Sequence, residues 1–299
     1  MPFKDLVPQS VRRLVPNPLK QLPWRIGWLR GTKTFASSPV GAFGRLGWWT
    51  LSELFNEELV FVTPGGRKFT TMRNNFVGMF AYVGRDYEND LLEFVRSSLA
   101  PGSTFCDVGA NIGIYTIEAA CRVGRSGRVF SFEAHPATYA YLRKNISEHN
   151  LNNVTAINAA VGDQQGQIGI VSVQGDSGSS DVSLADRKTQ TMVPLTTLDA
   201  TLGQHGVHNI DYLKIDVEGF ELHVLRGAEI IIENSRKLLV QTEIDLRHLK
   251  RFNISVSELV SFFAERGFSP HRLGRSGALE HVDPSSIAYG DYIWMRPHS

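Results

Sequence analysis

The segment Asp107–Gly113, with the sequence DVGANIG, constrains the fold of this chain more than any other part of it. It overlaps the end of the short apolar run Ser103–Val108, which has the composition of a buried parallel strand. Behind it, apolar residues recur at helical spacing from Ile114 to Cys121. A strand, a glycine-containing turn and a helix in this order are typical of the nucleotide-binding edge of a doubly wound α/β sheet.

The glycines of this loop indicate which kind of ligand it can hold. A dinucleotide loop carries G-x-G-x-x-G, in which the second glycine lets the backbone approach a diphosphate. Here Asn111 and Ile114 stand at the second and third glycine positions, while Gly109 and Gly113 remain for the tight turn and the close approach of the backbone. Together with the carboxylate of Asp107, the loop favours an uncharged or cationic nucleoside over a diphosphate.

A second buried strand is predicted from Arg128, and it ends in the carboxylate of Glu133, 26 residues beyond Asp107. An acidic residue at the tip of the second strand is where such folds bind ribose hydroxyls. The alternative is that Glu133 belongs only to the loop before Pro136, which starts the next predicted helix. The combination with the preceding glycine loop favours the ribose role.

Five sequence blocks together carry a family resemblance. They are DVGANIG, FEAHP at 132–136, NAAVGD at 158–163, LKIDVEGFE at 213–221 and QTE at 241–243. Their order and spacing resemble the FkbM-type S-adenosylmethionine-dependent methyltransferases, and K-I-D-V-E-G-x-E is the most specific block. The resemblance implies an α/β, Rossmann-like class I methyltransferase fold, with a mostly parallel sheet, helices on both faces and an antiparallel closing strand. It implies action on hydroxyl groups of sugars or natural products and does not fix the acceptor.

The resemblance also implies where the cofactor, S-adenosyl-L-methionine, is held. Val161 and Asp163 stand where methyltransferases of this type cover the adenine, and Glu88 matches an acid that lies near the cofactor. For Glu88 the alternative is an ordinary carboxylate at a helix start, favoured by the helix dipole. The predicted cofactor-binding residues are Glu88, Asp107, Gly109, Asn111, Gly113, Glu133, Val161 and Asp163.

Three acids near strand ends are the candidates for catalysis. Asp216 and Glu218 come at the end of the fourth predicted strand, and Glu243 follows the fifth. Because the carboxyl ends of parallel strands meet at one edge of a sheet, we expect these acids to arrive beside Asp107. Methyl transfer to a hydroxyl requires alignment of the acceptor and removal of its proton, so Asp216 or Glu243 is expected to act as a general base.

Two other roles suit the same acids. Asp216, Glu218 and Glu243 offer hard oxygen ligands for a divalent metal such as Mg²⁺, which would bind vicinal hydroxyls of the acceptor. In a purely structural role, Glu218 and Glu221 would instead cap a helix and pair with a basic side chain. The basic partners considered are Lys214 and Arg226, and the other candidate bases are His135, His223 and His248.

Composition is compatible with one large α/β core. The 299 residues are 42% hydrophobic, and the net charge of +1 provides no field for nucleic acid, so no nucleic-acid partner is expected. Cys106 and Cys121 lie in apolar predicted elements and are expected to be small core residues, which favours a reducing, cytoplasmic location. No apolar run is long enough to span a membrane, and no signal peptide is expected from the first residues.

The N-terminal segment is basic and apolar at once. Its first 35 residues carry seven Lys and Arg against the single acid Asp5, interleaved with Leu and Trp. Such a segment can bind an anionic membrane surface, so peripheral contact with the inner membrane face is one expectation for residues 1–33. The other is an arm packed on the body, broken by its prolines into pieces too short for one continuous helix.

Three regions follow from these patterns. Residues 1–35 form the basic arm, residues 36–86 form a cap with a hairpin at Pro64-Gly65-Gly66, and residues 87–299 form the Rossmann-like methyltransferase domain. Between two extended runs, the polar segment Gly175–Asp181 is expected to be a lid, an acceptor loop or an ordinary exposed loop.

The sequence therefore predicts an O-methyltransferase for a small hydroxylated acceptor, such as a sugar or a glycan or glycolipid precursor. An NAD-dependent oxidoreductase is the alternative enzyme, disfavoured by the missing glycines. A catalytically silent module that binds a nucleoside or a partner is the alternative from another class. Methylation of nucleic acid is disfavoured because the fourth strand ends in Asp-Val-Glu-Gly rather than in an Asn/Asp-Pro-Pro-aromatic run.

Overall fold

The computed structural model describes residues 16–85, 87–172, 180–182, 191–274 and 276–297. The chain divides into two compact units with the boundary between Asn89 and Asp90. Residues 1–15 of the predicted arm and most of the predicted lid segment lie outside the described residues.

The first unit combines helices with a β-hairpin. Its elements are α1 (Asn17–Arg30), α2 (Lys33–Ser37), α3 (Pro39–Phe55), β1 (Glu58–Val62), β2 (Lys68–Met72), α4 (Phe76–Met79) and a π-helical turn (Phe80–Gly84). Strands β1 and β2 pair antiparallel, so the hairpin predicted at Pro64-Gly65-Gly66 is confirmed.

Helix α1 shows that two of the prolines, Pro18 and Pro23, do not break the N-terminal segment as expected. Pro18 lies in the first turn, where a helical N–H has no partner in any case, and Pro23 lies inside the 14-residue helix. Pro23 removes one backbone hydrogen bond, but α1 packs against α3. The fully buried Arg25 donates to Glu53 Oε2 of α3 at 2.5 Å, and the other oxygen of Glu53 accepts from Trp49. This buried pair joins the two helices.

The second unit alternates strands and helices. Its first half contains α5 (Asn89–Ser98), β3 (Thr104–Val108), α6 (Ile114–Val123), β4 (Arg128–Phe132), α7 (Pro136–Glu148), β5 (Val154–Ile157), β6 (Ala160–Val161), β7 (Gly166–Ser172), β8 (Ser180–Val182) and β9 (Thr191–Thr196). Its second half contains α8 (Leu198–Gln204), β10 (Tyr212–Ile215), α9 (Glu221–Arg226), α10 (Glu229–Asn234), β11 (Leu239–Ile244), α11 (Leu246–Arg251), α12 (Val256–Glu265), β12 (Ser269–Leu273), β13 (Leu279–His281), a 3₁₀ turn (Pro284–Ser286) and β14 (Gly290–Met295).

Eight of these strands form the larger sheet, in the order β13-β12-β14-β11-β10-β3-β4-β5. Strands β5, β4, β3, β10 and β11 are parallel, and β14 is antiparallel to its neighbours β11 and β12. The chain moves outward from β3 to β4 and β5, then returns to the other side of β3 with β10. The strand order therefore reverses between β3 and β10, and the predicted Rossmann-like sheet with an antiparallel closing strand is confirmed.

The sequence predicts a third core strand over residues 154–160, but the structure divides this segment between two sheets. Only Val154–Ile157 joins the larger sheet, whereas Ala160–Val161 pairs with β9 in a smaller sheet of order β6-β9-β7-β8. The amide of Asn158 donates to the carbonyl oxygens of Glu133 and Ala134, which holds the chain at the change of sheet.

Two further expectations about the second unit are corrected. The helix predicted after the fourth strand is broken at Gly227, where a Cβ would lie 1.8 Å from the carbonyl oxygen of Gly162, so the two backbones touch. Cys106 is buried in β3, but Cys121 is exposed on α6. Cys121 directly follows the buried Ala120, and adjacent helical residues point about 100° apart, so Cys121 faces solvent.

Candidate cofactor site and active site

Four of the predicted acids stand at one edge of the larger sheet. Asp107 and Glu243 are the next-to-last residues of β3 and β11, while Glu133 and Asp216 directly follow β4 and β10. The four strands are parallel, so their carboxyl ends lie at the same edge. Because β3 and β10 are neighbours where the strand order reverses, this edge is where an open α/β sheet binds ligands.

Gly109 and Gly113 are required by the shape of the loop between β3 and α6. Gly109 has a φ of +82°, and a Cβ there would lie 1.9 Å from the backbone oxygen of Asp216. Gly113 has a φ of +93°, and its Cβ would lie 2.7 Å from Leu142 Cδ1. Left-handed backbone favours glycine, and the contact with Asp216 leaves no room for a side chain at position 109. The loop is thereby held against the end of β10.

Asn111 joins the loop to the second strand. Its φ of +51° is left-handed, a conformation that asparagine tolerates better than most residues. Its Oδ1 accepts from the N–H of Ile112 at 2.9 Å, and its own N–H donates to Oε2 of Glu133 at 2.9 Å. The residue at the second glycine position therefore keeps a glycine-like backbone while fixing the loop to Glu133.

Glu133 is buried and held by backbone donors. Oε2 accepts from Asn111, and Oε1 accepts from the N–H of His135 at 2.8 Å. Burial raises the pKa of Glu133 to about 7. A carboxylate offers about four acceptor positions, so about two remain for further donors. Vicinal hydroxyls of a ribose would match them.

A buried lysine connects two of the acids. Lys214 Nζ, on β10, lies 3.1 Å from Asp216 Oδ2 and 3.9 Å from Asp107 Oδ1. The same ammonium lies 4.9 Å from the centre of the Tyr115 ring. The Asp107 side chain is fully buried, whereas that of Asp216 is 33% exposed. Lys214 thus joins a fully buried carboxylate to a partly exposed one.

Among the described residues, Asp107 has one oxygen that accepts a hydrogen bond and one that does not. Oδ2 accepts from Thr116 Oγ1 at 2.6 Å, and Thr116 in turn contacts Ser131 Oγ. Oδ1 is buried and has no hydrogen-bond donor within the part of the chain that the structure describes. Burial raises the pKa of Asp107, although Lys214 and Thr116 act in the opposite direction. A buried acceptor without a donor is costly, so a ligand that brings an N–H group would stabilise this site.

Glu218 lies beside a histidine, and Glu221 accepts from a backbone N–H at the start of its helix. Glu218 Oε2 lies 2.8 Å from His248 Nδ1, a hydrogen bond that raises the pKa of His248. Glu221 is buried and accepts from the backbone N–H two residues before it, at 3.0 Å. Lys214 donates to Asp216 Oδ2, which lies two residues away on an extended segment and on the same face. The suggested pairing of the two glutamates with Lys214 or Arg226 stays a prediction.

Asp163 and Glu243 are paired with side chains from other elements. Asp163 Oδ2 lies 2.7 Å from His223 Nδ1, and the His223 ring stacks on Phe220 at 4.2 Å between ring centres. The hydroxyl of Tyr289 donates to Glu243 Oε1 at 3.4 Å, and the charge of Glu243 raises the pKa of Tyr289. The third candidate histidine, His135, accepts from the N–H of Thr138 at the start of α7.

Three further predictions concern a metal ion, Val161 and Glu88. Within the described ranges, no three His, Cys, Asp or Glu side chains form a group that could hold a metal ion. Val161 is buried in β6. Glu88 belongs to the first unit and has a φ of +47°. The cofactor roles of Val161 and Glu88 stay predictions.

One family model matches most of the second unit of this chain. Residues 107–270 match the model of the methyltransferase FkbM domain, which is more than half of the chain. The chain belongs to the FkbM methyltransferase family. The family and the enzyme class predicted from the sequence are thereby confirmed, and S-adenosylmethionine is the cofactor of this class.

Relatives of this FkbM protein are distant. Methyltransferase 1 of Beauveria bassiana is 26% identical over 147 residues, which are 42% of this chain and 59% of the relative. Hexuronic acid methyltransferase AglP of Haloferax volcanii is 26% identical over 157 residues, 52% of this chain and 62% of the relative. The solved precorrin-6y C5,15-methyltransferase of Geobacter metallireducens aligns at a TM-score of 0.41 and 15% identity, over 71% of this chain and 89% of its own. The chain thus spans less than two thirds of the length of these two sequence relatives.

The carboxylates of the FkbM domain fit the polar groups of S-adenosylmethionine. This molecule carries a sulfonium, an ammonium and a ribose diol, and no phosphate. Glu133 offers acceptor positions for the diol, and Asp107 Oδ1 is a buried oxygen that lacks a donor among the described residues. Asp216 adds negative charge at the same edge. We expect Asp107, Glu133 and the Gly109–Gly113 loop to hold the cofactor.

Glu133 is expected to make cofactor affinity depend on pH. Ribose hydroxyls donate to a carboxylate, so binding requires Glu133 without its proton. Because its pKa in the free protein is raised to about 7, the affinity for S-adenosylhomocysteine is expected to rise with pH and to level off above 7. One pH unit below that pKa, the affinity should be about tenfold weaker than at the plateau. Calorimetric titration over a pH series measures this dependence.

The substitution Glu133→Gln isolates this effect. It should remove the pH dependence and weaken binding about 10- to 150-fold at high pH, because one charge-assisted hydrogen bond contributes about 1.5–3 kcal/mol. Glu221→Gln is a matched control, because Glu221 is another buried glutamate whose pKa burial raises to about 7. A wild-type pH dependence in Glu133→Gln, or its loss in Glu221→Gln, would contradict the ribose role.

Proposed function

We propose that this protein transfers a methyl group from S-adenosylmethionine to a hydroxyl group of a small, sugar-containing or otherwise polyhydroxylated acceptor. Asp216 would be the general base, and Lys214 would position it. The observation that carries the proposal is the contact between the cofactor loop and the end of β10. Gly109 packs directly on the backbone of Asp216, so a ligand held by the loop lies next to the Asp216 carboxylate.

The exposure of the three linked side chains suits their proposed roles. Asp107 and Lys214 are buried, so their charges are held in a region of low dielectric constant. Asp216 is the most exposed member of this cluster, with a side chain that is 33% exposed. Lys214 restrains its carboxylate through the 3.1 Å hydrogen bond to Oδ2.

The proposed chemistry divides between cofactor and protein. When bound, S-adenosylmethionine supplies a methyl group on a positively charged sulfur. Asp216 would accept the proton of the acceptor hydroxyl as the new bond forms, which is typically worth about 10² to 10⁴ in rate. Orientation of the acceptor can contribute about 7–11 kcal/mol more. Glu243 and Glu218 are the other candidate bases, and their hydrogen bonds with Tyr289 and His248 would have to open or be shared.

A sugar acceptor is supported by one relative. The Haloferax volcanii protein AglP, 26% identical over 157 residues, is named a hexuronic acid methyltransferase. A sugar hydroxyl is a weak acid, so its methylation benefits from a positioned base such as Asp216. Glycan and glycolipid precursors belong to the same chemical class of acceptor.

The experiment is a methyl-transfer screen with S-adenosylmethionine labelled in its methyl group. Acceptors should include free hexoses, hexuronic acids, their nucleotide-linked forms and lipid-linked sugars, with a protein and an RNA as comparison substrates. The proposal predicts label in an O-methyl ether of a hydroxylated acceptor. Label in RNA, or on nitrogen or carbon, would contradict it. Tight cofactor binding without transfer to any acceptor would favour the silent binding module.

A further inference from the structure

The outward side of helix α3 in the first unit is apolar along its whole length. Val40 and Phe55, near its two ends, are 86% and 82% exposed. Between them the exposed positions recur at helical spacing. The exposed residues of α3 are Pro39, Val40, Phe43, Gly44, Gly47, Trp48, Leu51 and Phe55. None of them is charged, and none has a polar side chain.

The two charged residues of α3 do not interrupt this side. Glu53 is buried, where it pairs with Arg25 and accepts from Trp49. Arg45 is only partly exposed, and its Nε donates to the carbonyl oxygen of Val83 at 3.1 Å. The helix therefore directs its two charges into the unit and leaves only apolar residues fully exposed on its outward side. This is the reverse of a surface helix in a soluble domain, and a contiguous exposed apolar strip marks an interaction site.

The charge of the first unit indicates what covers the strip. Residues 16–85 contain nine Lys and Arg against three Glu, a net charge of +6, in a chain whose total is +1. The hairpin also combines exposed apolar and basic residues, since the exposed Val62 of β1 pairs with the exposed Lys68 of β2. Two copies of such a unit would repel each other, whereas an anionic surface would attract it. Exposed apolar and aromatic side chains in a unit of basic net charge favour binding to the interface of an anionic membrane.

We propose that the outward side of α3 docks on an anionic phospholipid membrane, with the helix lying in the plane of the interface. Val40, Leu51 and Phe55 insert among the acyl chains, and Trp48 lies at the level of the headgroups. The docking site is separate from the expected contact through residues 1–33, because α3 begins at Pro39. It does not depend on the methyl-transfer proposal.

Among the described residues, no helix is both long and apolar enough to cross a membrane.

The test is sedimentation of the full chain with vesicles of phosphatidylcholine, with and without phosphatidylglycerol. The wild type is expected to bind the anionic vesicles, with a blue shift of its tryptophan emission, and to bind more weakly as salt is raised. The triple variant Val40→Gln/Leu51→Gln/Phe55→Gln should lose about a hundredfold or more in affinity. The control variant Met192→Gln/Ile230→Gln/Leu246→Gln replaces three apolar residues of the second unit that are also about half exposed or more. It should bind as the wild type does.

Three results would overturn the proposal. Failure of the wild type to bind anionic vesicles is the first, and equal binding by the α3 variant is the second. The third is a concentration-dependent dimer, in the absence of lipid, that the α3 variant abolishes, because the strip would then be an interface between two copies. Circular dichroism establishes that both triple variants are folded. Cofactor titration is measured in parallel, so a failure of vesicle binding is distinguishable from a failure of the methyltransferase account.

Discussion

Replacing Gly109 with alanine is expected to abolish binding of S-adenosylhomocysteine. The added Cβ would lie 1.9 Å from the backbone oxygen of Asp216, which is far below the van der Waals contact distance. Either the loop or the end of β10 must move, and both belong to the predicted cofactor site. The φ of +82° adds strain of about 1–2 kcal/mol for a residue with a side chain. Calorimetric titration of the variant measures the loss.

The matched control for Gly109→Ala is Gly124→Ala. Gly124 also has a positive φ, +67°, but a Cβ there would meet no atom within 4 Å. The two variants share the backbone strain and differ in the clash. Gly124→Ala should lower the melting temperature slightly and bind the ligand as the wild type does. Wild-type affinity in a folded Gly109→Ala variant would show that the ligand does not depend on this loop.

Replacing Asp216 with asparagine is expected to reduce turnover by about 10²- to 10⁴-fold, with little change in cofactor affinity. The substitution keeps the shape of the side chain and removes the proton acceptor. In the wild type, a general base should give a rate that rises with pH through one ionisation. Steady-state kinetics on an acceptor found in the methyl-transfer screen, with S-adenosylhomocysteine titration in parallel, separate the two effects.

Asp211→Asn is the control on the same segment. Asp211 lies at the amino end of β10, where its Oδ2 accepts from the N–H of Thr104 at 2.8 Å. Its replacement should leave turnover unchanged. Near-wild-type turnover in Asp216→Asn would exclude Asp216 as the essential base and direct attention to Glu243→Gln. Loss of activity on chelation, with recovery on adding Mg²⁺, would support the metal hypothesis instead.

The sheet was predictable because its signals are local. Short apolar runs that end in Gly or an acid predicted β3, β4, β10 and β11, and the antiparallel closing strand, β14, was implied by the family resemblance. Residues 154–160 were predicted as one strand because the sequence does not show the change of sheet after Ile157. That change depends on the Asn158 side chain, which donates to two carbonyl oxygens of another loop.

The cofactor half of the site was easier to predict than the catalytic half. Gly109 and Glu133 follow from loop and strand-end patterns, but the link between Asp107 and Asp216 depends on the register of two strands that are far apart in sequence. Lys214 stands directly opposite Asp107 in that register. A signal was present, because a lysine inside the apolar run Leu213–Ile215 needs a buried partner, and Asp216 is two residues away on the same face.

The most direct test of the account is calorimetric titration of the full chain with S-adenosylhomocysteine and, separately, with NAD. The loop lacks the glycines that a diphosphate requires. Three acids, Asp107, Glu133 and Asp216, lie at the same edge of the sheet. We therefore expect one S-adenosylhomocysteine to bind per chain, with a matching rise in melting temperature, and NAD to produce neither effect. Binding of NAD together with no response to S-adenosylhomocysteine would contradict the central claim.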